Sequence, residues 1–150
     1  MQLRVSVEGA SAEVLDSEIR EIDIPDLTAP QIMLGTPAVY RARTLPEYQR
    51  LKTDQQAMPT ASREFTRTDR VFIRVPAYSP GTVPPTVTAK LLNRTGQSMS
   101  DLAISPGAGG RDTRDIDLTL ASLPVGEYLV EITVVADGEP VKELVGFRVS

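Results

Sequence analysis

The sequence predicts an all-β fold, an antiparallel immunoglobulin-like β-sandwich of about seven strands. Apolar residues alternate with polar ones along most of the second half of the chain, which is the pattern of half-buried strands. These stretches recur at the spacing of about 8–12 residues that is typical of a sandwich. The third observation is a turn between two such strands that has the features of a tyrosine corner.

The corner lies within Leu118 to Val135. One alternating strand ends at Leu120, a turn containing Pro124 and Gly126 follows, and a second strand begins at Tyr128. In a tyrosine corner the ring packs in the core and its hydroxyl bonds to the backbone a few residues upstream. We therefore assign structural roles to Gly126 and Tyr128.

The sandwich is predicted to occupy residues 63–150, and residues 1–62 are interpreted as N-terminal strands and a linker. Gln2 to Ile24 contains two alternating patterns, which indicate a two-stranded ribbon. This ribbon is either a β-arm that packs on the same sandwich or part of a preceding domain. The predicted strands of the sandwich are Glu64–Thr66, Arg70–Tyr78, Thr86–Leu92, Met99–Ser105, Arg114–Leu120, Tyr128–Val135 and Val141–Val149.

One short helix is predicted ahead of the sandwich. Thr44 and Glu47 have the spacing of a capping box, and a proline is tolerated in a first turn, so the helix should run from Pro46 to about Lys52. Thr53 to Ser62 has the composition of a long loop, which places the domain boundary there.

The composition excludes several kinds of chemistry. The chain has no cysteine and no histidine, so disulfides, thiolate nucleophiles, the usual zinc sites and imidazole acid–base catalysis are not available to it. We expect no catalytic residues, no metal site and no cofactor. The net charge of −4 disfavours nucleic acid, and the apolar runs are too short for membrane insertion.

Two groups of charged residues need separate interpretation. Asp115 and Asp117 lie two residues apart on one predicted strand, so both should face water rather than converge across a cleft as in a glycosidase. Together with Asp112 they also lack the spacing of a calcium loop. A basic cluster is interpreted as a charged sheet edge that discourages unwanted strand pairing, and its members are Arg63, Arg67, Arg70 and Arg74.

Three segments, Glu64 to Val71, Pro84 to Leu102 and Leu123 to Ile132, resemble the C-terminal region of bacterial von Willebrand factor A domain-containing proteins. The resemblance covers most of the chain. It implies an immunoglobulin-like accessory module of a larger secreted, periplasmic or envelope protein. The A domain of such proteins binds a divalent metal through Asp-x-Ser-x-Ser, and this motif does not occur here, so the metal site is not carried over.

The first functional hypothesis is therefore a non-enzymatic module, either a spacer or a protein-interaction domain. Its partners would be other domains of the parent chain or another protein, and its oligomeric state is open. If Met1 is the native start, the alternative location is the cytoplasm, since no signal peptide pattern follows it. The alternative function is a carbohydrate-binding module that uses Tyr40, Tyr48 and Tyr78 as exposed aromatic platforms, and a carboxylate-based hydrolase is the remote third option.

Overall fold

The chain forms two packed β-sheets, a separate two-stranded ribbon and one helix, in a computed structural model that describes residues 2–8, 14–21, 33–79, 85–135 and 140–150. For residues 2–8 and 14–21 it describes the backbone. The helix is α1 (Leu45–Thr53). The strands are β1 (Gln2–Glu8), β2 (Val14–Glu21), β3 (Met33–Leu34), β4 (Ala38–Ala42), β5 (Glu64–Phe65), β6 (Arg70–Tyr78), β7 (Thr86–Asn93), β8 (Ser98–Asp101), β9 (Ile104–Gly107), β10 (Gly110–Leu118), β11 (Gly126–Val135) and β12 (Val141–Val149).

The strand order is that of an immunoglobulin-like sandwich, which confirms the predicted fold class. In the first sheet β3 and β4 lie end to end along one edge of β6, and β10 and β9 follow on its other side. In the second sheet the order is β5, β12, β11, β7 and β8. These orders correspond to the A-B-E-D and G-F-C-C′ arrangements of the fold. Only β5, which runs parallel to β12, departs from antiparallel pairing among the pairings described.

The predicted count of seven strands is wrong, because nine positions are occupied when β3 and β4 are counted as one interrupted strand. The predicted strand from Met99 to Ser105 is in fact two strands: β8 pairs with β7 in the second sheet, and β9 pairs with β10 in the first. The chain therefore crosses between the sheets at Leu102 and Ala103. The additional strand is β4, and it extends the sandwich N-terminally beyond residue 63.

The N-terminal ribbon is present as predicted, since β1 pairs antiparallel with β2 from Gln2 opposite Glu21 onward. The end of the predicted second strand, at Ile22 to Ile24, lies outside the described residues. Whether the ribbon is an arm of this sandwich or part of a preceding domain stays a prediction.

Helix α1 begins where the sequence predicts. The Thr44 hydroxyl accepts from the Glu47 amide at 3.3 Å, and the Glu47 carboxylate accepts from the Arg43 amide at 2.9 Å. The first bond occupies an amide that the first turn leaves without an intrahelical partner, and the second ties Glu47 to the residue ahead of the N-cap. The helix therefore has a fixed starting point directly after β4.

The core lies between the two sheets and consists of the inward-facing side chains of both. Burial of one valine, leucine, isoleucine or phenylalanine side chain in this core stabilises the fold by about 1.5–3 kcal/mol. Its fully or nearly fully buried members include Val71, Ile73, Val75, Ile116, Leu120, Val130, Ile132, Val134, Phe65 and Val149. The alternate residues of the same strands point to the two outer faces of the sandwich, where any site must lie.

The corner joins the two sheets as the sequence predicts. The Tyr128 hydroxyl donates to the Pro124 carbonyl at 2.7 Å, and the ring stacks on Phe147 with centroids 5.6 Å apart. Gly126 begins β11 opposite Val149. Tyr128 is 7% exposed, so its role is structural, whereas the loops around it are open to solvent.

Replacing Tyr128 with phenylalanine should lower the free energy of unfolding by about 0.5–1.5 kcal/mol, because one hydrogen bond is lost and the ring packing is kept. Urea denaturation followed by circular dichroism measures this directly. Tyr78→Phe is the matched control, since Tyr78 is 46% exposed and should change the unfolding free energy little. Equal effects of the two changes would contradict the structural role of the corner.

Candidate functional site

The outer face of the first sheet is covered by helix α1 and by aromatic rings. Tyr40 stacks on Phe72 with centroids 4.8 Å apart, and Tyr48 of the helix meets the same ring edge-on at 5.5 Å. Tyr40 is only 6% exposed, so the expectation that it forms an exposed platform is wrong. Tyr48 is half-buried, and Tyr78 is the exposed one of the three. The tyrosines therefore do not form one open surface for a sugar ring.

A buried ion pair lies beneath the same helix. Arg74 of β6 is directly opposite Asp115 of β10, and its Nε and Nη2 donate to the two carboxylate oxygens at 2.8 and 3.1 Å. Both residues are buried, and Asp115 is 0% exposed. The predictions that Asp115 faces water and that Arg74 belongs to a sheet edge are therefore wrong. The reason is that α1 covers the polar side of both strands.

Arg74 also fixes the end of the helix. Its guanidinium donates to the carbonyls of Leu51, Lys52 and Asp54 at 3.3, 3.0 and 2.9 Å. Carbonyls in the last turn have no intrahelical partner, and a cation there is favourable. The hydrogen bonds to Asp115 raise the pKa of Arg74, so the guanidinium remains charged. The pair therefore attaches α1 to the sheet.

Asp117 lies at the edge of the polar cluster formed by Lys52, Arg74 and Asp115. Its side chain is 35% exposed, so it faces water only in part and not fully as predicted. Lys52 Nζ lies 2.8 Å from its Oδ1, and the Tyr48 hydroxyl donates to the same oxygen. Lys52 Nζ also lies 5.1 Å from the centre of the Phe72 ring, a cation–π distance. Both carboxylates of the cluster are paired with a cation, and Arg74 is buried. This arrangement is typical of a structural polar network rather than of an open catalytic cleft.

The titration of Tyr48 provides a test of this packing. Burial, followed by the hydrogen bond to Asp117, raises the pKa of Tyr48 well above its usual range. Because the pKa of Tyr48 is higher in the folded state, the neutral side chain stabilises the fold at pH values below its pKa in the unfolded chain, near 10. This contribution is lost as the pH rises towards the pKa in the folded state. In a titration followed at 295 nm, the folded Tyr48→Phe variant should therefore show the same phenolate absorbance as the folded wild type up to about pH 11, because Tyr48 does not ionise in that range. A loss equal to one tyrosine would contradict the packing.

A hollow of about 460 Å³ lies beside this cluster, between the turn ahead of β6 and the corner. Arg67 and Arg70 contribute positive charge, and Asp69 and Asp117 contribute negative charge. The mixed lining gives this hollow no clear preference for one sign of ligand.

A second hollow, of about 350 Å³, lies on the outer face of the second sheet. We call it the arginine hollow. Its rim contains three arginines and one acid, Arg63, Arg94, Arg148 and Glu127. Its floor is the strand pair β11–β12, where Leu129 lies directly opposite Gly146. Because Gly146 has no side chain, Leu129 is uncovered on that side.

One exposed apolar side chain lies beside the arginine hollow, and a second lies at the far end of the same face, beyond Glu131 and Thr133. Leu144, two residues before Gly146 on β12, is 56% exposed, and Val135 at the end of β11 is 41% exposed. No helix covers this sheet among the described residues. Arginine is enriched at protein interfaces, so the arginine hollow with Leu144 beside it is the part of this face best suited to binding.

The basic cluster that the sequence analysis singled out is divided among three places. Arg74 is buried under α1, Arg67 and Arg70 line the first hollow, and Arg63 reaches the arginine hollow. Arg94, Arg148 and Gly146 were not predicted from the sequence. The available signal was a glycine in the middle of an otherwise regular strand, which often marks a close approach of a ligand.

The described residues contain no group of three or more histidine, cysteine, aspartate or glutamate side chains that could hold a metal ion. Within the same ranges, no helix has the length and apolar character needed to cross a membrane. No protein-family model matches the chain, and a search of curated proteins found no significant match.

Proposed function

We propose that this chain is a non-enzymatic immunoglobulin-like module that binds another protein, or another domain of its parent chain, through the outer face of its second sheet. The observation that carries the proposal is the difference between the two outer faces. The first is covered by α1, whereas the second presents the arginine hollow with exposed Leu144 two positions along β12.

The polar groups of the first sheet support a binding role over a catalytic one. Asp115 is paired with Arg74, and Asp117 is paired with Lys52 and Tyr48. A carboxylate hydrolase needs two carboxylates that act on one substrate from opposite sides of a cleft. The neighbouring positions of these two on one strand, beneath a helix, do not provide that arrangement.

The parent protein in this proposal is a larger extracytoplasmic bacterial protein, as the resemblance to von Willebrand factor A domain-containing proteins implies. The module then separates other domains and offers one face for contact. Fractionation of the bacterium that makes the protein, with detection by an antibody against residues 63–150, should locate the gene product outside the cytoplasm. Detection in the cytoplasmic fraction would contradict this part of the proposal.

The interaction face is tested by photocrosslinking in the same bacterium. A benzophenone amino acid at position 144 should yield a crosslinked product that contains one defined protein segment, because Leu144 lies on the proposed face. The control is position 45 on α1, since Leu45 is similarly accessible at 48% exposure and lies on the helix that covers the first sheet. Equal products from both positions, or none from position 144, would contradict the proposal.

A further inference from the structure

We infer that the arginine hollow binds a side-chain carboxylate of an acidic segment in the partner protein, with an apolar residue of that segment packed on Leu129. The inference rests on the proposed function and specifies the chemistry of the partner. It is carried by three features of the hollow. These are a glycine that the backbone conformation does not require, arginines that come together from separate parts of the chain, and an apolar floor.

Gly146 is not required by the backbone. Its φ does not lie in the left-handed region, and an added Cβ would meet only the Leu129 Cδ2 atom, at an ordinary contact distance of 3.6 Å. A glycine inside a strand costs stability relative to other residues. Its effect at this position is to keep the hollow open beside Leu129.

The arginines reach the hollow from three separate parts of the chain. Arg148 lies on β12, Arg94 follows β7 in its turn to β8, and Arg63 precedes β5. Arg63 is held in place because its Nη1 donates to the carbonyls of Thr60 and Ser62 at 3.0 and 3.1 Å. Among the described residues, Arg94 and Arg148 form no ion pair, and Glu127 is the acid directly opposite Arg148, so a ligand carboxylate competes with it there. Arginine binds a carboxylate through two parallel hydrogen bonds.

The size and the rim of the hollow favour a peptide segment over other anions. A volume of about 350 Å³ is at the small end of ligand pockets and suits one or two side chains. Glu127 on the rim and the net charge of −4 disfavour an extended polyanion such as nucleic acid or an anionic membrane. The exposed Leu144 two positions along β12 extends the apolar contact for a residue adjacent to the carboxylate.

The test uses a fluorescein-labelled, C-amidated hexapeptide of alternating glutamate and leucine, its glutamine counterpart, and fluorescence anisotropy with the whole chain. The acidic peptide should bind and the glutamine peptide should not. Arg148→Gln and Arg94→Gln should each weaken binding about tenfold, the loss expected for one charge-assisted pair. Arg67→Gln in the other hollow is the control and should leave the affinity unchanged.

Gly146→Val separates the site from the fold. It should abolish binding while the melting temperature stays equal to or above that of the wild type, because valine favours a strand and fills the hollow. Full binding by Gly146→Val, equal binding of both peptides, or tighter Arg148-dependent binding to phosphatidylglycerol vesicles would overturn the inference. Failure of the acidic peptide while position 144 still crosslinks would remove the carboxylate but leave the interaction face standing. Failure of both would remove both.

Discussion

Replacing Asp115 with alanine is expected to destabilise the protein by about 3–5 kcal/mol, the usual effect of removing one partner of a buried ion pair. Arg74 would then remain covered by α1 with no carboxylate beside it. Its hydrogen bonds to the helix carbonyls supply partial charges only, so a large part of the desolvation penalty would be uncompensated. Urea unfolding gives the value. Far-ultraviolet circular dichroism is the suitable probe, because the chain has no tryptophan for fluorescence.

The control for this change is Asp101→Ala on the edge strand β8, where the side chain is exposed and the effect should stay within about 0.5 kcal/mol. The double change Arg74→Met with Asp115→Leu should recover the part of the loss that comes from the unpaired charge, but not the part that comes from the three carbonyls that Arg74 bonds. An Asp115→Ala effect similar to that of Asp101→Ala would show that Asp115 faces water after all.

Replacing Phe72 with alanine should destabilise the protein by about 3–5 kcal/mol, because removal of a buried aromatic ring leaves a large cavity. Phe72 is 0% exposed and contacts the rings of Tyr40 and Tyr48, with which it forms a small second core. This core holds α1 to the sheet, so its loss should also release the helix. Limited proteolysis should then cleave within Leu45–Thr53 faster in Phe72→Ala than in the wild type.

Val39→Ala is a useful comparison for the helix readout. Val39 is 2% exposed but packs in the core between the sheets rather than under α1. It should lower the unfolding free energy without a selective increase in cleavage of the helix. If both changes exposed α1 equally, the second core would not be a separate unit that holds the helix.

The sequence allowed the fold to be predicted wherever one face of a strand is buried and the other is solvated. β11 and β12 have this form, and the corner residues Pro124 and Tyr128 mark their connection. β6 does not, because five consecutive residues from Val71 to Val75 are buried on both faces. Period-two alternation carries no information about a layer that covers the second face, so the burial of Arg74 was not predictable from it.

The candidate site was predicted least well, for a reason of geometry. Arg63, Arg94 and Arg148 are far apart in the sequence and meet only because β12 lies between β5 and β11, with β7 beyond them. In the sequence Arg63 lies close to Arg67 and Arg70, which led to the prediction of one basic cluster instead. Convergence of this kind depends on strand order and register, which alternation along single strands does not determine.

The most direct measurement of the central claim, that the partner binds the outer face of the second sheet, is a titration with the acidic peptide followed by amide NMR spectra of the ¹⁵N-labelled chain. The account predicts the largest shifts at Gly146, Leu129 and Arg148, around the arginine hollow. Largest shifts at Arg67 and Arg70, or on α1, would place the partner on the first sheet and contradict the account.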